Sequence, residues 1–339
     1  MATLSFKPYT KHPLAVPDVV AKLRAQGLLI GDVTKASDLL GRVNYFRFRG
    51  YLYPYLDLVN IPAAPAPKNF KAGSTFEQAL EMYRFDEGLK KLIFNLMPDI
   101  EVALRTVLDA TMCKSAGHGF WYLQPQWFSS KKHPNRIINS LSSSFCDSSE
   151  NYAQHFQKTY FNNVSGIYKH LPPFWVLFEL STIGQLYEFY ANLDEAAPSF
   201  PASSPTIPCS TVLDKMARNR MGAEKYKDLR TWVKMLRAIR NICAHHGRLW
   251  NKNILAPNGI TSKVSIPFPT VHPGSSAPKT NTVYAALVVL RLMSKKLGIF
   301  DGIKDGLLAL LAAHPEANKP AHLFAMGIPA NWHQDTVWL

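Results

Sequence analysis

Residues 229–251 read LRTWVKMLRAIRNICAHHGRLWN. Leu229, Trp232, Val233, Leu236, Ile239 and Cys243 recur at the i, i+3, i+4, i+7 spacing of a helix with one buried side. Gly247 is the expected stop. The segment is also basic. Between Lys215 and Lys252 there are eleven Lys or Arg against two acids, Glu224 and Asp228. Such a stripe attracts phosphate whatever the sequence, and the attraction falls with salt. Arg230, Lys234, Arg237 and Arg248 are therefore candidate RNA contacts.

On a helix at 100° per residue, Arg240 falls almost under Val233 and near Leu236, so a permanent charge points along the apolar stripe. Buried arginines are rare unless paired or functional. His245 lies one turn after Asn241, whose side-chain amide can orient the imidazole. Arg240 and His245 are about 140° apart on an ideal helix and cannot both face one substrate from it. Either the helix unwinds before Gly247, or two copies combine their residues across a symmetric seam, which predicts a homodimer. An alternative is purely structural: Arg240 pairs with a core acid, and the histidines cap a helix C-terminus.

Arg240, Asn241, His245 and His246 suit metal-free cleavage of RNA. No carboxylate in this stretch completes a metal site, and adjacent histidines do not point at one ion, so neither metal nor cofactor is expected. The 2′-hydroxyl is an internal nucleophile. A histidine titrating near neutrality takes its proton or protonates the leaving 5′-oxygen. An arginine that stays charged holds the phosphate and stabilises charge in the transition state. His246 is a reserve for either proton role.

Composition bounds the rest. The chain has 339 residues, 47% hydrophobic and 18% charged, which excludes global disorder and fits two or three compact units or one large one. A net charge of +14 points to an acidic partner, with nucleic acid the first candidate. The cysteines Cys113, Cys146, Cys209 and Cys243 form no CxxC pair, which argues against a disulfide scaffold or a cysteine zinc site. The N-terminus shows no apolar signal-peptide core. The apolar runs Val283–Leu290 and Leu307–Ala313 fall short of the roughly 20 residues of a span, so a cytoplasmic protein without membrane contact is expected.

Helical periodicity dominates. A helix starts at Pro17-Asp18 with apolar positions at Val20, Leu23 and Leu28. Residues 42–54 alternate Arg42, Arg47 and Arg49 with Tyr45, Phe46, Phe48, Tyr51 and Tyr53. They suit a strand or a helix end running into Gly50. Aromatics at this density are more often core, although such residues also stack bases and hold phosphates. Residues 60–74 read as a connection. Residues 75–116 read as long helices, with Pro98 starting or kinking the second. Residues 139–151, rich in serine, read as a loop. Pro172-Pro173 opens a helix reaching Leu193, with Trp175 as packing and Glu179 as a possible partner for a buried arginine. Residues 196–210 read as an exposed loop, and 256–281 as another. Tyr284–Leu297 and Lys304–Ala313 read as two further helices.

Arg-Asn-x-x-x-His resembles the Arg-(four to six)-His motif of the HEPN superfamily, helical ribonuclease domains that usually dimerise. RNICAHHGRLWN resembles the C-terminal signature of the AbiD/AbiF-like abortive-infection proteins of bacteria. NYFRFRGYLYPY at 44–55, TFEQALEMYRFDEGLKKLIFNLMPDIEVALRTVL at 75–108, LPPFWVLFELSTIGQLYEFY at 171–190 and MGIPANWHQDTVW at 326–338 are similar to family blocks in the same order. The resemblance implies an endoribonuclease used as a toxin in antiphage defence, with a noncoding RNA as a possible partner. It implies Arg240 and His245 as the motif's named positions and Asn241 as its polar second. It also implies Glu101 and Arg105 as the polar pair on the preceding helix. By default those two are an i, i+4 surface salt pair. Glu101 borders the Met97/Ile100/Leu104 stripe, however, and a carboxylate there can reach Arg240 or a histidine from a packed neighbour. The residue five after Arg105 is Ala110, so the chain carries one motif.

The expected architecture is mostly α: a HEPN-type helical bundle over 75–255, an N-terminal element at 1–70, and C-terminal helices and tail at 280–339. The expected function is metal-independent RNA cleavage. The alternative is a non-catalytic dimer that holds a structured noncoding RNA.

Overall fold

In a computed structural model, described for residues 9, 12–59, 68–129, 135–160, 171–199 and 207–339, the chain is mostly helical. The described residues form no named strand, only isolated bridges. The helices are α1 (Val16–Ala25), α2 (Val33–Arg42), α3 (Tyr45–Leu52), α4 (Phe76–Phe94), α5 (Met97–Ala116), α6 (Asn135–Cys146), α7 (Asn151–Tyr160), α8 (Phe174–Leu177), α9 (Ile183–Asn192), α10 (Cys209–Met216), α11 (Tyr226–Ala244), α12 (Val283–Leu297), α13 (Ile303–Ala313) and α14 (Pro320–Met326). They fall into two compact units, one of Met1–Glu87 with Leu311–Asn318 and one of Gly88–Leu310 with Lys319–Leu339. The division lies within α4 and α13 rather than between 70 and 75. Residues 60–67 and 200–206, parts of two expected loops, lie outside the described residues.

In the first unit, Asp32 and Asn44 cap α2 and α3 by accepting the Lys35 and Phe46 N–H groups at 2.9 and 2.8 Å. The aromatic-basic block is thus a helix, not a strand. It buries Phe48, Tyr51 and Leu52, half-buries Tyr45 and Gly50, and exposes Phe46, Arg47 and Arg49. The Tyr51 hydroxyl donates to Asp86 at 2.6 Å, and the Phe48 ring lies 4.9 Å from that of Phe76. Leu28 is buried but lies beyond the end of α1, past Gly27 at φ +87°.

In the second unit, α12 buries every residue from Val283 to Leu290, the pattern of a helix enclosed on all sides. No described helix is long and apolar enough to cross a membrane. α11 packs on α9, α10 and α12. Its expected apolar stripe, from Leu229 to Cys243, is buried throughout. The Asp214 carboxylate receives the Tyr226 N–H at 2.7 Å and starts the helix. The Tyr226 hydroxyl donates to the Tyr190 carbonyl at 2.7 Å, and the Tyr190 hydroxyl to the Leu104 carbonyl at 2.9 Å, so α11, α9 and α5 are tied in sequence.

Two expectations change, and the alternatives for Pro98 reduce to one. Residues 139–151 are not all loop, because α6 runs to Cys146. Ile138, Leu141 and Phe145 form its buried stripe, while the Ser143 and Ser144 hydroxyls donate back to the carbonyls four residues earlier. The helix expected over 174–193 breaks at Ser181-Thr182. There Thr182 and Gln185 form a reciprocal capping box that starts α9 afresh. Pro98 starts α5 at its second position rather than kinking it.

Candidate functional site

α5 and α11 bring Glu101 and Arg240 together. The Arg240 Nε donates to Glu101 Oε1 at 3.2 Å, with the side chains 35% and 13% exposed. The default i, i+4 pair of Glu101 with Arg105 is not formed among the described residues. Arg105 instead donates from Nη2 to the Ser181 carbonyl at 2.7 Å, and its buried Nε has no partner. The break between α8 and α9 supplies that carbonyl. Glu179, considered as an arginine's partner, is exposed. Trp175 is half exposed and its ring lies close over Gly119, so it packs at the surface rather than in the core.

Arg240, Glu101 and Arg105 line an open cavity of about 240 Å³ with Phe94, Met97, Pro98 and Val102. Val102 is 55% exposed. Sequence reasoning missed it, although an apolar residue off the Met97/Ile100/Leu104 stripe was the available signal. Neither histidine lines this cavity.

The histidines lie where α11 ends. His245 is the C-cap, and its N–H donates to the Asn241 carbonyl at 3.0 Å. His246 is left-handed at φ +54°. The His246 N–H donates to the Cys243 carbonyl at 3.0 Å and the Gly247 N–H to the Ile242 carbonyl at 2.8 Å. This is a Schellman ending with the histidine, not the glycine, in the left-handed position. The helix does unwind before Gly247, so the ideal angular separation stops applying at Ala244. Both imidazoles face solvent. The expected bond from the Asn241 amide to the His245 ring is absent among the described residues, where Asn241 contributes its backbone carbonyl. Both features of the purely structural alternative are also present: a carboxylate on Arg240 and histidines at a helix end.

The basic stripe is partly neutralised. Arg237 pairs with Glu188 at 3.3 Å and lies 5.1 Å from the Tyr187 ring centre. Arg230 pairs with Glu195 at 3.2 Å and lies 5.7 Å from that of Tyr226. Partial burial, then Glu188, raises the Tyr187 pKa, while Arg237 and Arg230 oppose the rise. Lys234 is exposed and Arg248 half-exposed. Arg47 and Arg49 are exposed on α3, in the first unit. Among the described residues, no three His, Cys, Asp or Glu side chains come together as metal ligands do.

Residues 38–251 match the family described as Abi-like protein, which is more than half of the chain. No curated protein and no solved structure matches it. The chain belongs to the Abi-like family, and that membership supports a role in abortive-infection defence.

Proposed function

We propose that this member of the Abi-like family is a metal-independent endoribonuclease of the HEPN type, acting as a cytoplasmic defence toxin. The observation that carries the reading is the placement of Arg240. Its guanidinium is fixed by Glu101 on the wall of an open cavity. One turn later the same helix stops and presents two solvent-facing imidazoles. In this reading Arg240 clamps the scissile phosphate and stabilises its developing charge. His245 takes the 2′-hydroxyl proton or protonates the leaving 5′-oxygen, with His246 for the complementary role. Asn241 positions His245 through the backbone at the helix end. Glu101 orients Arg240, and Arg105 adds positive charge to the cavity wall. Lys234 and Arg248 guide the strand by long-range attraction.

Because the cavity wall holds no imidazole, the reading requires a homodimer in which a second copy supplies the histidine. The products are a 2′,3′-cyclic phosphate and a free 5′-hydroxyl, and DNA is not cut because it has no 2′-hydroxyl. The test is labelled RNA incubated with the purified protein in EDTA. The expected result is cyclic-phosphate ends, lost in His245→Ala with the circular dichroism unchanged. Parental cleavage by that variant would overturn the assignment.

A second reading, a basic dimer that holds a structured RNA without cutting it, is favoured by the neutralisation of Arg240 by Glu101. It is distinguished by a shifted band with intact RNA.

A further inference from the structure

α3 has two unlike faces. Phe48, Tyr51 and Leu52 are buried. The opposite side carries Phe46, 83% exposed, and Tyr53, 49% exposed, with the exposed Arg49 between them. At 100° per residue these three fall within about 60° of arc, and Tyr53 opens the 3₁₀ turn that continues the helix. Lys22 of α1 reaches the flank, its Nζ 6.0 Å from the Tyr45 ring centre. Residues 41–56 hold three arginines and no acid, and Arg42 is exposed at the end of α2.

The buried side fixes this face in advance. Tyr51 is bonded to Asp86, Phe48 packs on Phe76, and Asn44 caps the helix. Two bulky rings are thus held in water on a rigid support, with a cation between them, so ordering costs little when something binds. Single exposed apolar residues need no explanation. Two exposed aromatics alternating with arginine, in a stretch that itself holds no acid, have the composition of a surface on which unpaired bases stack while a phosphate meets a guanidinium group.

We propose that this face of α3 is a binding site for single-stranded nucleic acid. Bases stack on Phe46 and Tyr53, and Arg49 holds a phosphate between them. Seven residues of helix separate the rings by about 10 Å, the length of roughly three stacked nucleotides. The exposed cation between two exposed rings, with Arg42 and Lys22 on the flank, favours a polyanion that also offers flat bases. The site lies wholly in the first unit and does not depend on the nuclease reading.

The test is fluorescence anisotropy of a short labelled oligouridylate, its deoxy counterpart and an RNA duplex. The protein is the full chain carrying His245→Ala, so that no cleavage intervenes. Phe46→Ala and Tyr53→Ala are each expected to weaken single-strand binding about tenfold. Phe46→Trp retains it. Arg49→Ala lowers the slope of log affinity against log salt by about 0.7. Thermal midpoints stay put, since these side chains lie on the surface. The deoxy arm decides whether the ligand is RNA or either single strand. Unchanged affinity in the two alanine variants overturns the proposal, as does equal loss of duplex binding. A change of oligomeric state in those variants without a change in affinity would make the face a protein interface and overturn it too.

Discussion

The Arg240 guanidinium, on α11, stands 3.2 Å from the Glu101 carboxylate, on α5. The two residues are 139 positions apart in the sequence. Glu101 is mostly shielded and Arg240 about one-third exposed, so the pair lies between the weak exposed class and the strong buried one. A double-mutant cycle of Glu101→Gln and Arg240→Met, read by urea denaturation, is expected to give a coupling of about 1 kcal/mol. A coupling indistinguishable from zero would mean that the carboxylate does not hold the guanidinium in place.

If two copies share each site, Arg240→Ala and His245→Ala can complement one another. A mixed dimer has one site lacking both groups and one site with both intact. At equal concentrations, after subunits exchange, half of the dimers are mixed, so about a quarter of the parental cleavage rate should return. Variants that stay inactive when mixed, in a dimer shown to exchange, would place both groups of each site in one subunit.

The legible parts of the fold were those written in short-range periodicity. The α11 stripe and the apolar run of α12 needed only 3.6-residue spacing. The Arg240–Glu101 contact was legible as a possibility because Glu101 borders a buried stripe. Two departures from the periodic pattern have local causes. Serine favours loops because its hydroxyl competes for the backbone, yet in α6 the Ser143 and Ser144 hydroxyls bond back to the preceding turn. The Thr182–Gln185 cap was present in the sequence but hidden inside an apolar run. The neutralisation of Arg230 and Arg237 was not legible, because Glu195 and Glu188 come from another helix and its following turn. Nor was the buried, unpartnered Arg105 Nε, whose position depends on the helix break at Ser181.

His246 holds φ at +54°, a conformation that costs an L-residue about 1 kcal/mol and costs glycine almost nothing. His246→Ala and His246→Gly both remove the imidazole and differ in backbone preference alone. The glycine variant should therefore be more stable than the alanine variant by about 1 kcal/mol, measured by chemical denaturation. Both should cut RNA equally poorly if the imidazole has a proton-transfer role. An alanine variant as stable as the glycine variant would show that the left-handed ending does not persist in solution.

The thiols should separate by reactivity. Burial, then Asp194 and Glu195, pushes the Cys209 pKa from an ordinary 9 up to about 12. Burial and the hydrogen bond to Asp109 at 3.0 Å raise that of Cys113. Cys146 is exposed. Since the thiolate is the reactive form, iodoacetamide at neutral pH should label Cys146 well before Cys209 or Cys113, as read by peptide mass spectrometry. The same shift sets an alkaline limit. Above pH 9 the unfolded chain releases the Cys209 proton while the folded chain keeps it, so the folded state loses ground as pH rises from 9 to about 12. The buried hydroxyls of Tyr190 and Tyr226 are raised by the same desolvation and act in the same direction. Below pH 9 this contribution is flat. Thermal midpoints should fall steadily above pH 9, and Cys209→Ser should remove part of the fall. Equal labelling of Cys209 and Cys146 in the native protein would show that α10 does not bury its first residue.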